Sequence, residues 1–521
     1  MTDRALAPAQ PVAVPAPPTP PTPPDGPPRA DERRAGTERA AGRRRLVDRI
    51  PPHRRLPFAV YAVTQVVLLV WWLAFFPGLT SYDSVAYVWQ ATTDNWMTNH
   101  SVIYTGLVWL SIQAVGGLWL LTLAQTVAAA VALAYAVVGL RALGVPGKWL
   151  GVAAVIVPVV PSLGTFLIFV WKDVPFVILQ VFLLGTLARM VVRKRQPVTG
   201  RWYRDGAMRA LLGWLFVEFL LMALFRQNGI LMVVVGAVAA AVVLAGIRLW
   251  LIGIGLVAAA LSLVCNVVVF PAMGAEPAKS DLLLGPAYAD IAVVYRDRPE
   301  EFTGRDLEVM ARVAPLSFWS DSANCYTSDT TTSGEFDRDA AQANDADLFA
   351  LWTRLLKRVP GEVFDARFCR GAIAWKIGAG PPEGGTILTP LTGSRVLHGF
   401  GERMADNPYR SVIYLDPPVP ALHGVAQWIR EATDLRTFMW LLWRGATWCY
   451  IGYAAVGLLA WRRRESALLA LAAVAVSNQL PVLANNPAQL VRYMMGPMFV
   501  GILLVPLLFL RDRRSDRSVE P

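Results

Sequence analysis

The sequence has little charge for its length and few of the residues that build soluble active sites. Only 17% of its 521 residues are charged, against roughly 25% in a soluble protein. It contains four cysteines and four histidines, and its 49 basic residues include only six lysines. These shortages exclude a disulfide-rich secreted scaffold and leave little for a zinc site. A Walker loop and an HExxH motif are also missing from the sequence.

Apolar residues, by contrast, make up 55% of the chain, and the mean hydropathy is +0.42. A membrane-spanning helix needs about 20 mostly apolar residues. A run over 102–115 is too short to cross and fits a juxtamembrane helix in the interface. The pattern predicts an all-α polytopic membrane protein with about ten transmembrane helices. The ten longer runs lie near 56–76, 117–140, 149–170, 174–192, 210–225, 229–247, 249–270, 438–460, 466–484 and 493–510.

Charge is divided unevenly along the chain. Residues 272–437, here called the polar block, hold 17 basic and 23 acidic residues, although the whole chain carries +11. Short basic segments at 189–209, 461–466 and 511–517 all fall on one side if ten helices follow an inner N-terminus. By the positive-inside rule, both termini are then cytoplasmic and the polar block is a mostly helical extracytoplasmic domain. The basic excess therefore indicates a lipid bilayer and not a nucleic-acid partner.

The two ends of the chain and the cysteines add further expectations. The first 30 residues contain 11 prolines and an Arg-rich stretch follows, so residues 1–55 are predicted to be a disordered tail. A second basic tail covers 511–521. Cys325 and Cys369 both lie in the polar block, where an oxidising exterior favours a disulfide between them. The abundance of Arg and Ala is typical of a GC-rich genome, which points to a bacterial plasma membrane.

The candidate catalytic and binding residues lie at helix ends on the predicted outer face, and several of them are in the first outer loop, 77–116. Ionisable groups at such positions are costly and usually functional. Asp83 has no cation in its local stretch of sequence, and a positioned carboxylate can act as a general base. Three cations at the other junctions are suited to binding a phosphate. The predicted site residues are Tyr82, Asp83, His100, Lys172, Asp173, Arg226, Asn228, Arg492 and Tyr493.

Plainer interpretations stay open for most of these residues. Trp and Tyr near membrane boundaries are commonly interface anchors. Arg226 and Lys172 are also placed where cations extend to lipid headgroups, and Lys172 and Asp173 are adjacent and able to neutralise each other. Asp83 has the least obvious structural reason to be where it is.

In plan, the chain resembles the GT-C superfamily of membrane glycosyltransferases, which includes protein O-mannosyltransferases and lipid A aminoarabinose transferases. The resemblance rests first on FPGLTSYDSVAYVWQA, with Asp83 at the acidic position that the family places after its first helix. The chain is most similar to a bacterial branch of this superfamily. That likeness adds the WKD junction, the RQNG turn and the late RYMMGP segment, and it spans about 56–510.

The resemblance implies a transferase that uses a polyprenyl-phosphate-linked sugar and inverts the anomeric centre. Asp83 would deprotonate an acceptor hydroxyl on an extracytoplasmic glycan or protein, in cell-envelope assembly. Lys172, Arg226 and Arg492 would stabilise the departing phosphate. The family's acidic pair is a single Asp here, which leaves a requirement for a divalent metal open, and its frequent His-Pro is His100-Ser101.

Two other classes of function remain as alternatives. A multi-pass transporter or lipid flippase also places charges inside a helical bundle. We find no inverted repeat, however, and the charges gather at one face. A scaffold for envelope assembly, with the Pro-rich tail as its docking arm, leaves the charged cluster unexplained.

Overall fold

The computed structural model describes residues 51–196, 205–378 and 404–510, and within them the chain is helical. Its only β-type pairings there are three isolated bridges. The predicted all-α polytopic membrane fold is confirmed. The predicted tails 1–55 and 511–521 fall outside the described residues except for 51–55, where the helix Pro52–Ala74 begins within the stretch predicted to be disordered.

Seven helices in the described part of the chain are long and apolar enough to cross a membrane. Three of them contain a change of helix type. A π-helical turn, Cys265–Val269, lies within one, and 3-10 turns begin or end the last two. The seven are Pro52–Ala74, Trp119–Ala142, Asp173–Lys194, Gly206–Phe225, Arg248–Ala272, Ser466–Ala484 and Val491–Phe509.

The other three predicted spans are shorter or less apolar helices, so their crossing of the membrane stays a prediction. The run 149–170 is divided into Gly147–Val159 and Pro161–Phe166, because Val160 precedes a proline and is extended. Gly229–Val243 has 15 residues. Gly445–Arg463 has 19, but several are aromatic or polar.

The first loop contains two short helices, Tyr82–Thr93 and Val102–Val115. Ser81 and Ser84 cap the first reciprocally, which fixes where it begins. The second is the predicted juxtamembrane helix, and it ends at Gly116, whose φ of +68° suits glycine. Leu79 pairs with Phe169 through backbone hydrogen bonds, so this loop lies against the WKD junction.

In its described residues, 272–378 and 404–437, the polar block consists of short helices and turns, and part of it has a hydrophobic core of its own. Tyr288, Trp319, Leu348 and Leu351 are fully buried in that core. Cys325 and Cys369 form the predicted disulfide, with Cα atoms 5.6 Å apart. The helices are Asp281–Asp297, Pro299–Glu301, Gly304–Ala311, Leu316–Asp321, Arg338–Ala343, Asp345–Arg358, Pro360–Arg370, Ala372–Trp375, Arg410–Ile413, Pro420–Ala432 and Arg436–Phe438, and Met439–Leu442 follows directly.

The later part of the block, from residue 404, lies instead against the first loop. Thr80 donates to the Ile413 carbonyl at 3.0 Å, and the Asp416 amide donates to the Phe76 carbonyl at 2.8 Å. Asn407 donates to the Thr92 hydroxyl at 2.8 Å. The first loop is therefore held between the spans and the polar block.

Candidate active site

One cavity of about 300 Å³ lies where the ends of several spans meet the polar block, and it is here called the charged cavity. Eight of the nine predicted site residues line it. The exception is Tyr82, whose side chain is half exposed. The eight are Asp83, His100, Lys172, Asp173, Arg226, Asn228, Arg492 and Tyr493.

Local structure explains how these side chains reach one place. Asp83 is in the first turn of Tyr82–Thr93, and Lys172 directly precedes the span that Asp173 begins. Arg226 ends the span Gly206–Phe225 in an extended conformation, so the chain turns there. Arg492 lies in the 3-10 turn Val491–Met494, which begins the last span.

The acidic and basic groups in the cavity form a chain of ion pairs. Arg226 Nη1 lies 2.9 Å from Asp173 Oδ1, and both side chains are almost fully buried. The other Asp173 oxygen lies 3.9 Å from Arg492 Nη1. Arg492 in turn donates a hydrogen bond to Asp83 Oδ2. Two of the three predicted phosphate-binding cations are therefore paired with carboxylates of the protein.

Lys172 is held differently from the two arginines. Its Nζ lies 3.5 Å from the carbonyl oxygen of Asn99, a neutral partner. Burial lowers the pKa of Lys172, and the nearby carboxylates of Asp83 and Asp173 oppose that shift. Because the ammonium of Lys172 makes only this weak contact with the protein, it is the group in the cavity most available to bind an incoming anion.

The environment of Asp83 keeps its carboxyl group ionised. Burial would raise its pKa, but the positive charges of Arg492 and Lys172 outweigh burial and hold the pKa of Asp83 well below its ordinary value. The side chain keeps 24% of its surface exposed, because it faces the cavity. A carboxylate stabilised in this way is a weak base until the charge beside it changes.

His100 is the neutral member of the set. Burial, with the charge of Lys172, lowers its pKa to about 4. Its ring makes an edge-to-face contact with Tyr87, at a centroid distance of 5.3 Å. A neutral imidazole can orient a substrate hydroxyl without adding charge.

Asp329 also lines the charged cavity, and no local pattern in the sequence pointed to it. Its loop is fixed by the Cys325 disulfide and by pairing of Thr327 with Ala488. Burial raises the pKa of Asp329, although Arg492 opposes the shift. With Asp329 counted, three carboxylates face three cations, so the cavity is close to electrically balanced before a ligand binds.

An apolar groove of about 290 Å³ continues from the charged cavity. It runs between Gly229–Val243 and Ala473–Ala484, and is lined mainly by aliphatic side chains such as Leu231 and Val482. Arg226 and Tyr493 border both spaces. A ligand with a charged head and an apolar tail fits this pair of spaces.

The donor set does not favour a metal ion. Among the described residues, no group of three or more His, Cys, Asp or Glu side chains is placed to hold one. Asp83 and Asp173 each face an arginine instead. We therefore derive no step through a divalent metal.

Comparison with known proteins yields no relative. The chain matches no protein-family model, and no curated protein or solved structure matches it significantly.

Proposed function

We propose that this multi-pass membrane protein is an inverting glycosyltransferase that takes its sugar from a polyprenyl-phosphate donor. The acceptor is a hydroxyl on an extracytoplasmic glycan or protein, and the polar-block end of the spans faces the outside of a bacterial plasma membrane. One observation carries the proposal. Three cations and three carboxylates, Asp83 among them, surround a single cavity that adjoins an apolar groove.

The two joined spaces fit the two halves of the donor. A polyprenyl phosphate combines a compact anion with a long hydrocarbon chain. Lys172, Arg226 and Arg492 offer charge-assisted hydrogen bonds to the phosphate. The aliphatic groove beside Arg226 takes the first isoprene units, and the rest of the chain remains in the bilayer.

The proposed reaction is a direct displacement at the anomeric carbon. The acceptor oxygen forms a bond to the anomeric carbon. The bond between that carbon and the donor's phosphate oxygen breaks, and polyprenyl phosphate leaves. The hydroxyl proton passes to Asp83, which acts as general base. The three cations stabilise the charge that develops on the departing phosphate.

The ion pair between Arg492 and Asp83 links donor binding to this chemistry. The guanidinium of Arg492 is the positive charge that lowers the pKa of Asp83 most. A phosphate that attracts Arg492 away from the carboxylate weakens this effect, so Asp83 becomes a stronger base when the donor is in place.

The test compares donor turnover in wild type and Asp83→Asn, in nanodiscs, with a panel of polyprenyl-phosphate sugars and candidate acceptors. We expect wild type to release polyprenyl phosphate from one donor and Asp83→Asn to be slower by about 10²–10⁴-fold, the range of general-base catalysis. Asp94→Asn is the matched control, because Asp94 is exposed in the same loop and Asn tolerates its φ of 55°.

Full activity in Asp83→Asn would refute the assignment of the base. Donor binding without turnover in wild type, with every acceptor tried, would support the alternative of a lipid flippase or transporter. The same joined spaces would then carry a lipid phosphate without breaking a bond.

A further inference from the structure

A second cavity, of about 360 Å³, lies beside the charged cavity, between the first loop and the start of the polar block. Asn99 and Leu282 line both spaces. The two cavities are therefore adjacent, and Asp83 lines the neighbouring one. Neither the donor phosphate nor its hydrocarbon chain accounts for this space.

Backbone pairing fixes one wall of the second cavity. The Thr98 amide donates to the Glu276 carbonyl at 2.8 Å, and the Glu276 amide donates to the Trp96 carbonyl at 2.8 Å. The Ala278 amide donates to the Thr98 hydroxyl, also at 2.8 Å. Residues 178 to 180 positions apart are thus joined by three hydrogen bonds, so this wall is preformed.

Asp281 is the residue in this wall that points to a ligand. It begins the helix Asp281–Asp297 and is only 7% exposed. Its Oδ2 lies 3.5 Å from Arg338 Nε, but among the described residues its Oδ1 has no hydrogen-bond partner. A buried carboxylate oxygen without a partner is costly. A donor group on a ligand in the cavity would satisfy it.

The other lining groups indicate which kind of ligand this is. The carboxylates of Glu276 and Asp281 are matched in number by the cations Lys279 and Arg338. Lys279 is also paired with Asp339 at 2.6 Å, and Arg338 donates to the Thr332 carbonyl at 2.9 Å, so both cations already have partners in the protein. The carboxylate oxygens of Glu276 and Asp281 are hydrogen-bond acceptors that the lining offers to a ligand.

Trp89 adds an aromatic surface to the same cavity. A sugar matches this combination, because its hydroxyls donate hydrogen bonds and its C–H face is apolar enough to pack on an indole ring. A peptide presents fewer donors per unit of surface, and a lipid tail has none. The polar and aromatic lining also resembles the general composition of small-molecule sites.

We propose that the second cavity binds the acceptor, and that the acceptor is a carbohydrate whose attacking hydroxyl passes Asn99 to reach Asp83. This inference rests on the proposed function and narrows the acceptor to a glycan. Asp281 and Glu276 hold hydroxyls of the accepting sugar and take no part in the displacement itself. Their contribution is to the binding and orientation of the acceptor.

The kinetic test uses Asp281→Asn and Glu276→Gln with saturating donor and a saccharide acceptor found by screening. We expect the KM for the saccharide to rise at least tenfold in Asp281→Asn while kcat changes less than threefold. Glu276 is exposed, so Glu276→Gln is expected to fold normally and to show a smaller rise in KM. Asp297→Asn, at the exposed far end of the same helix, is the control and should match wild type.

A binding test separates failure of this inference from failure of the proposed function. Labelled mono- and disaccharides are titrated against wild type, Asp83→Asn and Asp281→Asn in nanodiscs, and polyprenyl phosphate is titrated in parallel. Saccharide binding that is lost only in Asp281→Asn supports the carbohydrate site, whether or not the lipid binds. Lipid binding without any saccharide binding overturns the inference and leaves the proposed function standing. Transfer to a serine or threonine peptide, with no saccharide accepted, would also overturn it.

Discussion

The two ends of the span Asp173–Lys194 carry ion pairs of opposite character. At its C-terminal end, Arg193 pairs with Asp205 at 2.7 Å and Arg195 with Glu465 at 2.7 Å. All four side chains there keep between 13% and 32% of their surface exposed. At its N-terminal end, Asp173 pairs with Arg226, and neither exceeds 6%.

This difference indicates which ion pairs serve stability and which serve ligand binding. The C-terminal pairs stay in contact with solvent, and Asp205 also caps the next span by accepting from the Met208 amide at 2.9 Å. The N-terminal pair lies in the wall of the charged cavity, where removing two charges from water costs more than their attraction returns unless geometry is excellent. A pair retained at that cost is better explained by ligand binding than by stability.

Breaking one ion pair at each end of the span should give the largest difference in the free energy of unfolding. We expect Arg226→Gln to lower the free energy of unfolding by about 3–5 kcal/mol, because Asp173 is left as a buried charge with one partner fewer. Arg195→Gln should cost about 0–1 kcal/mol, because its pair is exposed. Thermal unfolding in one detergent measures both. The double variant Asp173→Asn/Arg226→Gln should recover part of the loss, and equal losses at the two ends would contradict the comparison.

The N-terminal end is also the one that a covalent bond supports. The disulfide between Cys325 and Cys369 closes a loop of 44 residues next to the strand-like pairing of Thr327 with Ala488. We expect Cys325→Ser to lower the free energy of unfolding by about 2–4 kcal/mol, chiefly because the unfolded chain gains conformational freedom when the cross-link is lost. Cys449→Ser provides a control that removes a buried thiol outside the disulfide. A thiol titration that finds Cys325 and Cys369 both reactive in the native protein would contradict this prediction.

Mild acid should affect the two ends differently. Burial and Lys172 lower the pKa of His100 to about 4 from 6.5, so between these values the unfolded state binds the extra proton and the folded state does not. Stability therefore falls as pH falls from 6.5 to 4. Hydrogen bonds from Arg193 and the Met208 amide lower the pKa of Asp205 to about 2, below that window.

The melting temperature between pH 7 and pH 5 measures this effect. We expect the fall on acidification to be smaller in His100→Gln than in wild type. His423→Gln is the control, since His423 bonds the Ala74 carbonyl away from the charged cavity. An unchanged pH dependence in His100→Gln would show that another group is responsible.

The features that the sequence predicted correctly are those encoded locally. Apolar length predicted all seven helices that are long and apolar enough to span a membrane in the described part of the chain, and the run 102–115 predicted the helix Val102–Val115. Pairing of Arg492 with Asp83, 409 residues apart, depends on how the last span packs against the first loop, and no local pattern specifies that. Pro161 is a local signal for the helix break at Val160, but the length of the apolar run 149–170 led to the prediction of a single span.

Asp329 shows the same limit for the candidate site. It lies in a polar loop that resembles many others in the block, and only the tertiary pairing of Thr327 with Ala488 brings it to the charged cavity. The second cavity depends likewise on hydrogen bonds between Thr98 and Glu276, 178 residues later. The sequence predicted that the candidate cations lie near one membrane face. Their pairing with carboxylates depends on the tertiary structure.

The smallest effect we expect is on donor binding when Asp329 is neutralised. Asp329 adds negative charge to a cavity that is proposed to receive a phosphate, so Asp329→Asn should bind farnesyl phosphate roughly threefold to tenfold more tightly, or about 1 kcal/mol. Asp321→Asn, in an exposed position of the same block, is the control. Titration in nanodiscs at two salt concentrations measures the change. Unchanged or weaker binding of farnesyl phosphate by Asp329→Asn would contradict the prediction, because it would show that the charge of Asp329 does not oppose the phosphate in the charged cavity.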